Sequence, residues 1–269
     1  MAEQMLTEDR IAEQLTGRWA GRTVKVFQET DSTNIQCGKL AQEGWPEGTL
    51  VVAESQTAGK GRRGRTWVSP EGTGIWMSLL LRPEIPADKA SMLTLVAALA
   101  VEKGIQKAAG LESYIKWPND LVISQKKICG ILTEMRSRNN QPEYVIAGIG
   151  INANITEFPE EIRNTATSLY LEKGEKADRI RIISEIMAAF EEYYQKFLET
   201  LDFRQLKEEY DSRLINLGRQ VTVLDPAGAY TGICRGIGME GELLVQLPDG
   251  QEKAVISGEV SVRGVYGYV

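Results

Sequence analysis

Gly59-Lys60-Gly61-Arg62-Arg63-Gly64-Arg65 gathers four cations and three glycines into seven residues. The chain around it is acidic, with 31 Lys and Arg against 37 Asp and Glu and a formal charge of −6. Glycine lets backbone N–H groups approach a ligand closely, and Arg adds a planar fork that matches phosphate or carboxylate oxygens. Taken alone, the segment reads either as a solvated, self-repelling basic loop or as an anion site that a polyanion orders. It satisfies G-x-G-x-x-G, but a dinucleotide site needs a helix directly after the glycines to hold the pyrophosphate. Here Arg65-Thr66-Trp67-Val68-Ser69-Pro70-Glu71-Gly72 reads as extended chain and then a turn. A Walker A loop is excluded as well, because Lys60 is followed by Gly61 rather than Ser or Thr.

Other segments carry chemistry of the same kind. Lys116-Trp117-Pro118-Asn119-Asp120 places a lysine at the end of a strand pattern, as a surface turn or as a point charge for a carboxylate or phosphate. Asp31-Ser32-Thr33-Asn34 offers helix-capping side chains that could equally face a polar ligand, and Gln56 precedes the basic loop. Gly148-Ile149-Gly150-Ile151-Asn152 is either a closely packed strand or a bare backbone surface for a flat ligand. The chain contains no histidine, which removes Ser-His-Asp and Cys-His catalysis and histidine zinc sites. Cys37, Cys129 and Cys234 are widely spaced and read as buried thiols in a reducing compartment, or else as reactive thiols with no His to activate them. No apolar run approaches the roughly 20 residues of a membrane span, and the first residues lack a signal-peptide pattern. A reaction that needs no side-chain nucleophile is attack of a substrate carboxylate on the α-phosphate of ATP. There the protein contributes positioning and charge stabilisation.

The pattern of apolar residues predicts the elements that must hold these groups. Residues 1–20 read as a helix with Ile11, Leu15 and Trp19 at spacing four. Strands are expected at Val24–Phe27, Leu50–Ala53, Gly74–Leu81, Tyr114–Trp117, Leu121–Ser124, Lys127–Met135 and Tyr144–Ile151, and helices at Ile35–Gln42, Asp88–Ala109, Ala177–Leu201 and Phe203–Leu214. From about Leu217 the texture changes to short alternating strands, with turns at Asp225-Pro226, Gly238–Gly241 and Pro248-Asp249-Gly250. This predicts an N-terminal helical linker (1–20), a catalytic unit (21–216) and a small antiparallel barrel of about five strands (217–269).

The order of the four motifs, Asp31–Asn34, Gln56–Trp67, Lys116–Asp120 and Gly148–Asn152, resembles the biotin–protein ligases from about Val24 to the end of the chain. The resemblance implies an α+β fold: a mixed sheet with helices, like class II aminoacyl-tRNA synthetases, followed by an SH3-like barrel. It implies that biotin and MgATP give biotinyl-5′-AMP and pyrophosphate. A lysine of the biotin carboxyl carrier domain of a carboxylase, such as acetyl-CoA carboxylase, then takes the biotinyl group. Biotin contacts are implied for Ser32, Thr33, Asn34, Gln56, Gly59, Lys60, Gly61, Arg62, Lys116, Gly130 and Gly148. The nucleotide would meet Arg63, Arg65, Trp67, Lys116, Asn119 and Asn152, with Lys116 and Arg62 stabilising charge at the reacting centre. The Mg²⁺ ligands are not identified by the motifs.

Two departures bear on function. Lys60 stands where some members of the family carry Arg, which keeps the charge but loses the fork. About 20 residues precede Val24, too few for the winged helix-turn-helix of the bifunctional members, so operator binding is not expected. Cytoplasmic location is expected, and a homodimer is compatible with the sequence. Lipoate–protein ligases share the adenylate logic but show an Arg-Arg-x-x-Gly-Gly-Gly-type loop and a His-Asp pair. A non-enzymatic biotin sensor on the same fold is the alternative from another class.

Overall fold

The computed structural model describes residues 5–225, 228–257, 261–264 and 269. A seven-stranded sheet is built from β1 (Thr23–Thr30), β2 (Thr49–Gln56), β3 (Ile75–Leu81), β4 (Tyr114–Lys116), β5 (Asp120–Ile123), β6 (Lys126–Arg138) and β7 (Gln141–Ile151), in the order β1-β2-β3-β7-β6-β5-β4. Only β1 and β2 are parallel, and α2 (Thr33–Gln42) supplies the crossover that a parallel pair requires. The remaining pairs are antiparallel.

The strands β3 and β7 are apolar along nearly their whole length because both faces of the sheet are covered. On one face Met77, Leu79, Ala147 and Ile149 pack into the main core with α3 (Leu93–Ala109) and α5 (Arg179–Thr200). On the other face Leu80, Tyr144 and Ile146 form a smaller cluster with Cys37 and Ala41 of α2. That cover stops at the N-terminus of α2, which leaves the sheet open beyond it. The helices α4 (Leu169–Lys173) and α6 (Lys207–Arg213) complete this unit.

A second, five-stranded antiparallel sheet follows: β8 (Gln220–Leu224), β9 (Tyr230–Ile237), β10 (Leu243–Gln246), β11 (Glu252–Val255) and β12 (Ser261–Gly264), in the order β11-β10-β9-β8-β12. It is joined to the first unit by real contacts. The Trp117 indole Nε1 donates to the Gly241 carbonyl at 3.0 Å, and the Phe203 N–H donates to the Met239 carbonyl at 2.9 Å. Residues 1–4, Pro226 of the expected Asp225-Pro226 turn with residue 227, and 258–260 and 265–268 of the expected barrel lie outside the described residues.

The N-terminal helix is shorter than its apolar spacing suggests. α1 spans Glu8–Gln14, capped by the Thr7 hydroxyl. Beyond it the Glu191 carboxylate of α5 accepts the backbone N–H groups of Arg18, Trp19 and Ala20 at 2.7–2.8 Å, where the chain bends and turns instead of continuing the helix. Trp19 reaches Phe190 and Tyr194 from outside any helix. The expected Asp88–Ala109 helix is a 3₁₀ turn over Ala87–Met92 leading into α3. The strands β6 and β7 run longer than expected because Asn139 and Asn140 both take positive φ, the geometry of a tight hairpin turn that asparagine tolerates.

Gly104 on α3 lets α5 approach closely: a Cβ there would stand 2.8 Å from the Ile186 backbone nitrogen and 2.4 Å from its Cγ1. Gly104→Ala is therefore expected to lower the thermal midpoint by an amount equivalent to about 1–3 kcal/mol, while substrate KM values stay unchanged. A neutral substitution would contradict the close packing of α3 on α5.

Candidate functional site

The open part of the sheet has a floor with few side chains. Cross-strand pairing sets Trp76, Gly150 and Gly130 in one row and Ser78, Gly148 and Leu132 in the next. A Cβ on Gly148 would stand 2.1 Å from the Asn34 Oδ1; one on Gly150 would stand 2.7 Å from the Trp67 Nε1, and one on Gly130 2.9 Å from the Trp67 ring. The bare backbone thus receives two side chains, Asn34 from α2 and Trp67 from beyond the basic segment. The Trp67 indole nitrogen is buried without a hydrogen-bond acceptor. A cavity of about 50 Å³ lies over this floor.

At one end the cavity is polar. Ser32, Thr33 and Asn34 line it, and all are buried. The Asp31 Oδ1 accepts the Ser32 N–H at 2.6 Å and the Gln36 amide at 2.7 Å. The N–H of Thr33, at the start of α2, is taken by the Gln56 Oε1 at 2.8 Å. The helix is therefore capped from a neighbouring strand, and the Ser32 side chain makes no capping bond. Gln56 also donates to the Ser69 hydroxyl at 2.8 Å. The Ser78 hydroxyl joins Thr33 Oγ1 at 2.8 Å and Asn34 Oδ1 at 2.6 Å.

At the other end the cavity is cationic. The basic segment folds back on itself as a small hairpin: Lys60 bridges Thr66, Gly61 N–H donates to the Arg65 carbonyl at 2.7 Å, and Trp67 N–H donates to the Gly59 carbonyl at 2.8 Å. Its backbone is thus tied more firmly than its charge predicts. Gly59 is buried behind the hairpin, where a Cβ would stand 2.4 Å from the Trp67 carbonyl oxygen. The turn places Arg63 at φ 58° and leaves Arg63 and Arg65 exposed. Lys60, Gly61 and Arg62 line the cavity. Arg62 Nη1 donates to the Asn119 Oδ1 at 2.9 Å; burial works against its charge and Asp120 supports it.

Lys127 also lines this end. Its ammonium sits 5.0 Å from the centre of the Trp67 ring and 2.5 Å from the Asp120 Oδ1. Strict alternation along β6 would put Lys127 and Gly130 on opposite faces. The pairing with β5 slips between Leu121 and Val122, so that Leu121 faces Cys129 and Val122 faces Lys127. The bulge turns Lys127 onto the glycine face. A second cavity of about 330 Å³ adjoins across Arg62, Ile131 and Leu132, and reaches Thr94, Pro118 and Ser257.

The structure brings together Ser32, Thr33, Asn34, Gln56, Lys60, Gly61, Arg62, Trp67, Asn119, Gly130 and Gly148 of the expected residues. It sets five others, Gly59, Arg63, Arg65, Asn152 and Lys116, outside the cavity lining. Arg63 and Arg65 stand on the outer side of the hairpin. Asn152 is buried and donates from Nδ2 to the Thr167 carbonyl at 3.1 Å, which anchors the chain after β7. Lys116 is buried at the end of β4, opposite Asp120 in the register. Burial pushes its ammonium down to about 8; Asp120 resists the shift, while Lys127, Arg263 and Arg65 add to it. Lys127 and Ser78 were not expected as site residues, and Gly150 was expected only as part of a possible bare backbone surface. The three cysteines are free and buried, and burial pushes the Cys37 thiol up to about 12 and the Cys234 thiol to about 11. Among the described residues no group of three or more Asp, Glu, Cys or His converges, so they do not form a protein cage for Mg²⁺. No helix among them is long and apolar enough to cross a membrane.

Residues 26–152 match the biotin/lipoate A/B protein ligase family, and residues 217–263 match the biotin protein ligase C-terminal domain. The chain is similar to the bifunctional ligase/repressor BirA of Bacillus spizizenii, at 45% identity over 85% of this chain and 71% of that protein. It is similar to the biotin–[acetyl-CoA-carboxylase] ligase of Mycobacterium tuberculosis, at 34% identity over 95% of each. The structure resembles the biotin protein ligase of Aquifex aeolicus in complex with biotin and ATP, with a TM-score of 0.79 and 34% identity, covering 90% of this chain and 99% of that one.

The folded pKa of Lys116, about 8, lies below its ordinary 10.5. Holding this ammonium therefore costs stability at every pH below about 8, and the cost fades as pH rises toward 10.5. Lys116→Met should raise the melting temperature at pH 7, with a gain that shrinks between pH 8 and 10.5. A gain that is flat across that range would contradict burial as its cause.

Proposed function

This chain belongs to the biotin/lipoate A/B protein ligase family, and we propose that it activates biotin with ATP and transfers it to a lysine of a carboxylase's biotin carboxyl carrier domain. The observation that carries this reading is the polarity of one cavity: hydroxyl and amide groups at one end, cations at the other, and a glycine floor between them. A bicyclic ureido head fits the polar end, and its valeryl carboxylate then points toward Lys60, Arg62 and Lys127.

In the first step a carboxylate oxygen of biotin attacks the α-phosphorus of ATP. The bond from that phosphorus to the bridging oxygen breaks, and pyrophosphate leaves with the electron pair. Charge grows on the equatorial oxygens, where Arg62 and Lys127 neutralise it. In the second step the neutral ε-amine of the acceptor lysine attacks the acyl carbon of the mixed anhydride, AMP leaves with the acyl C–O electron pair, and the nitrogen loses one proton to solvent as the amide forms. A Mg²⁺ ion would travel on the nucleotide's phosphates, which matches the cation's habit of keeping few protein ligands.

Lys127, which lines the cavity, is better placed for the carboxylate than Lys116, which lies outside the lining. The cavity is smaller than the roughly 300 Å³ at which ligand pockets usually begin. The Trp67 indole lies over Gly130 and Gly150 within it, and its unpaired N–H supports a reading in which it shifts when substrate arrives.

Incubation with biotin, ATP, Mg²⁺ and a carrier domain should add one biotinyl mass to a single lysine and release AMP. Tight biotin binding without AMP release would sink the enzyme reading in favour of a sensor. Lys127→Ala should lower the rate of biotin-dependent pyrophosphate exchange by about 100-fold, in the range of a lost charge-stabilising donor, and Lys116→Ala by much less. The reverse order would return the role to Lys116.

A further inference from the structure

We infer that Glu134 is a positioning residue which, with Ser78, holds the Asn34 amide so that its oxygen is offered over Gly148 to an N–H of the ligand's cyclic urea. The inference rests on the biotin reading above and adds the group that sets the direction of hydrogen bonding at the ureido end.

An amide side chain has nearly the same shape in its two flipped orientations, so its neighbours decide which one holds. Asn34 Nδ2 lies 2.7 Å from the Glu134 Oε2 and 3.3 Å from the Leu132 carbonyl oxygen. Both partners only accept. Asn34 Oδ1 lies 2.6 Å from the Ser78 hydroxyl. Turning the amide over would set its oxygen against a carboxylate and a carbonyl, and deprive two part-buried acceptors of the Asn34 donor. The far end of the chain is fixed in the same way. Gln56 Oε1 accepts the Thr33 backbone N–H and lies 3.2 Å from the Thr33 hydroxyl. That hydroxyl oxygen is 2.8 Å from Ser78, which is fully buried. Ser78 has one proton; given to the Asn34 oxygen, it leaves the Ser78 oxygen to accept from the Thr33 hydroxyl.

An amide oxygen has two lone pairs. Ser78 occupies one, and the oxygen lies against the side of Gly148 where no Cβ stands, on the wall of the cavity. The ligand group that fits there is a donor. A cyclic urea carries two N–H donors flanking a carbonyl, whereas an ester or a lactone would set oxygen against oxygen. Glu134 is half-buried on β6, outside the cavity lining, and acts through Asn34.

The test uses the full chain and biotin-dependent pyrophosphate exchange. Biotin is compared with its two isosteric cyclic carbamates, each with one ureido N–H replaced by oxygen. The wild type should prefer biotin over both. In Glu134→Ala the preference over one of the two isomers should fall about tenfold, the scale of one hydrogen bond. The change should lie in the KM for biotin, with the KM for ATP unaltered. Glu134→Gln should restore the preference, because its Oε1 can take the place of the carboxylate oxygen. An unchanged preference in Glu134→Ala, or a KM for ATP that rises in parallel, would overturn the inference by making Glu134 a general structural residue. If Glu134→Ala does not fold, Ser78→Ala is read by the same ratio, and an unchanged ratio there overturns it equally. A wild type with no exchange at all would instead overturn the functional reading on which the inference rests.

Discussion

The site depends on a steric constraint: three glycines on two central strands leave one patch of the sheet face nearly bare of side chains. Gly130 pairs directly with Gly150, and Gly148 pairs with Leu132. With a methyl group at 148, Asn34 could not occupy its position; at 130 or 150, Trp67 could not. These strands also carry the core on their opposite face, where Ile149 and Ile131 pack under α3 and α5. The same backbone is thus anchored on one side and bare on the other. Burial of the apolar face supplies the rigidity, and the glycines leave room for chemistry.

Around that floor, charge is arranged against the character of the chain as a whole. An acidic protein concentrates Lys60, Arg62 and Lys127 at one end of a single cavity, with Lys116 buried nearby and its ammonium already pushed down to about 8. Cations held so closely repel one another, and Asp120 offsets part of that repulsion through its ion pair with Lys127. An arriving carboxylate and triphosphate would neutralise the rest. The hairpin geometry of residues 59–67 means that this charge is carried on a backbone with its own hydrogen bonds.

Much of this was legible in the residues. The strands around the floor, the change of texture near Leu217 and the polar run at Ser32–Asn34 follow from periodicity and turn chemistry. The Rossmann reading of the basic segment fails on sequence grounds, and the structure agrees, since a hairpin and not a helix follows the glycines. Other features depend on information that local patterns do not hold. Lys127 reaches the cavity because of a bulge, and alternation along β6 points it the wrong way. Ser78 looks like any small residue in an apolar strand until the register sets it beside Gly148. The expected helix does not run on to Trp19, because a carboxylate from α5, far away in sequence, takes the N–H groups of Arg18, Trp19 and Ala20. Asn152 sits at the end of a motif but spends its amide on the Thr167 carbonyl.

The central claim is that one cavity holds the ureido head over the glycine floor and the activated carboxylate between the cations. The most direct measurement is a crystal structure with a non-hydrolysable biotinyl-adenylate analogue. The account predicts the ureido ring against Asn34 and Gly148, the acyl–phosphate linkage within hydrogen-bond distance of the Lys127 ammonium and the Arg62 guanidinium, and the Trp67 indole moved away from Gly130 and Gly150. An analogue bound elsewhere, or bound with Trp67 unmoved and the linkage against Lys116 instead, would contradict it.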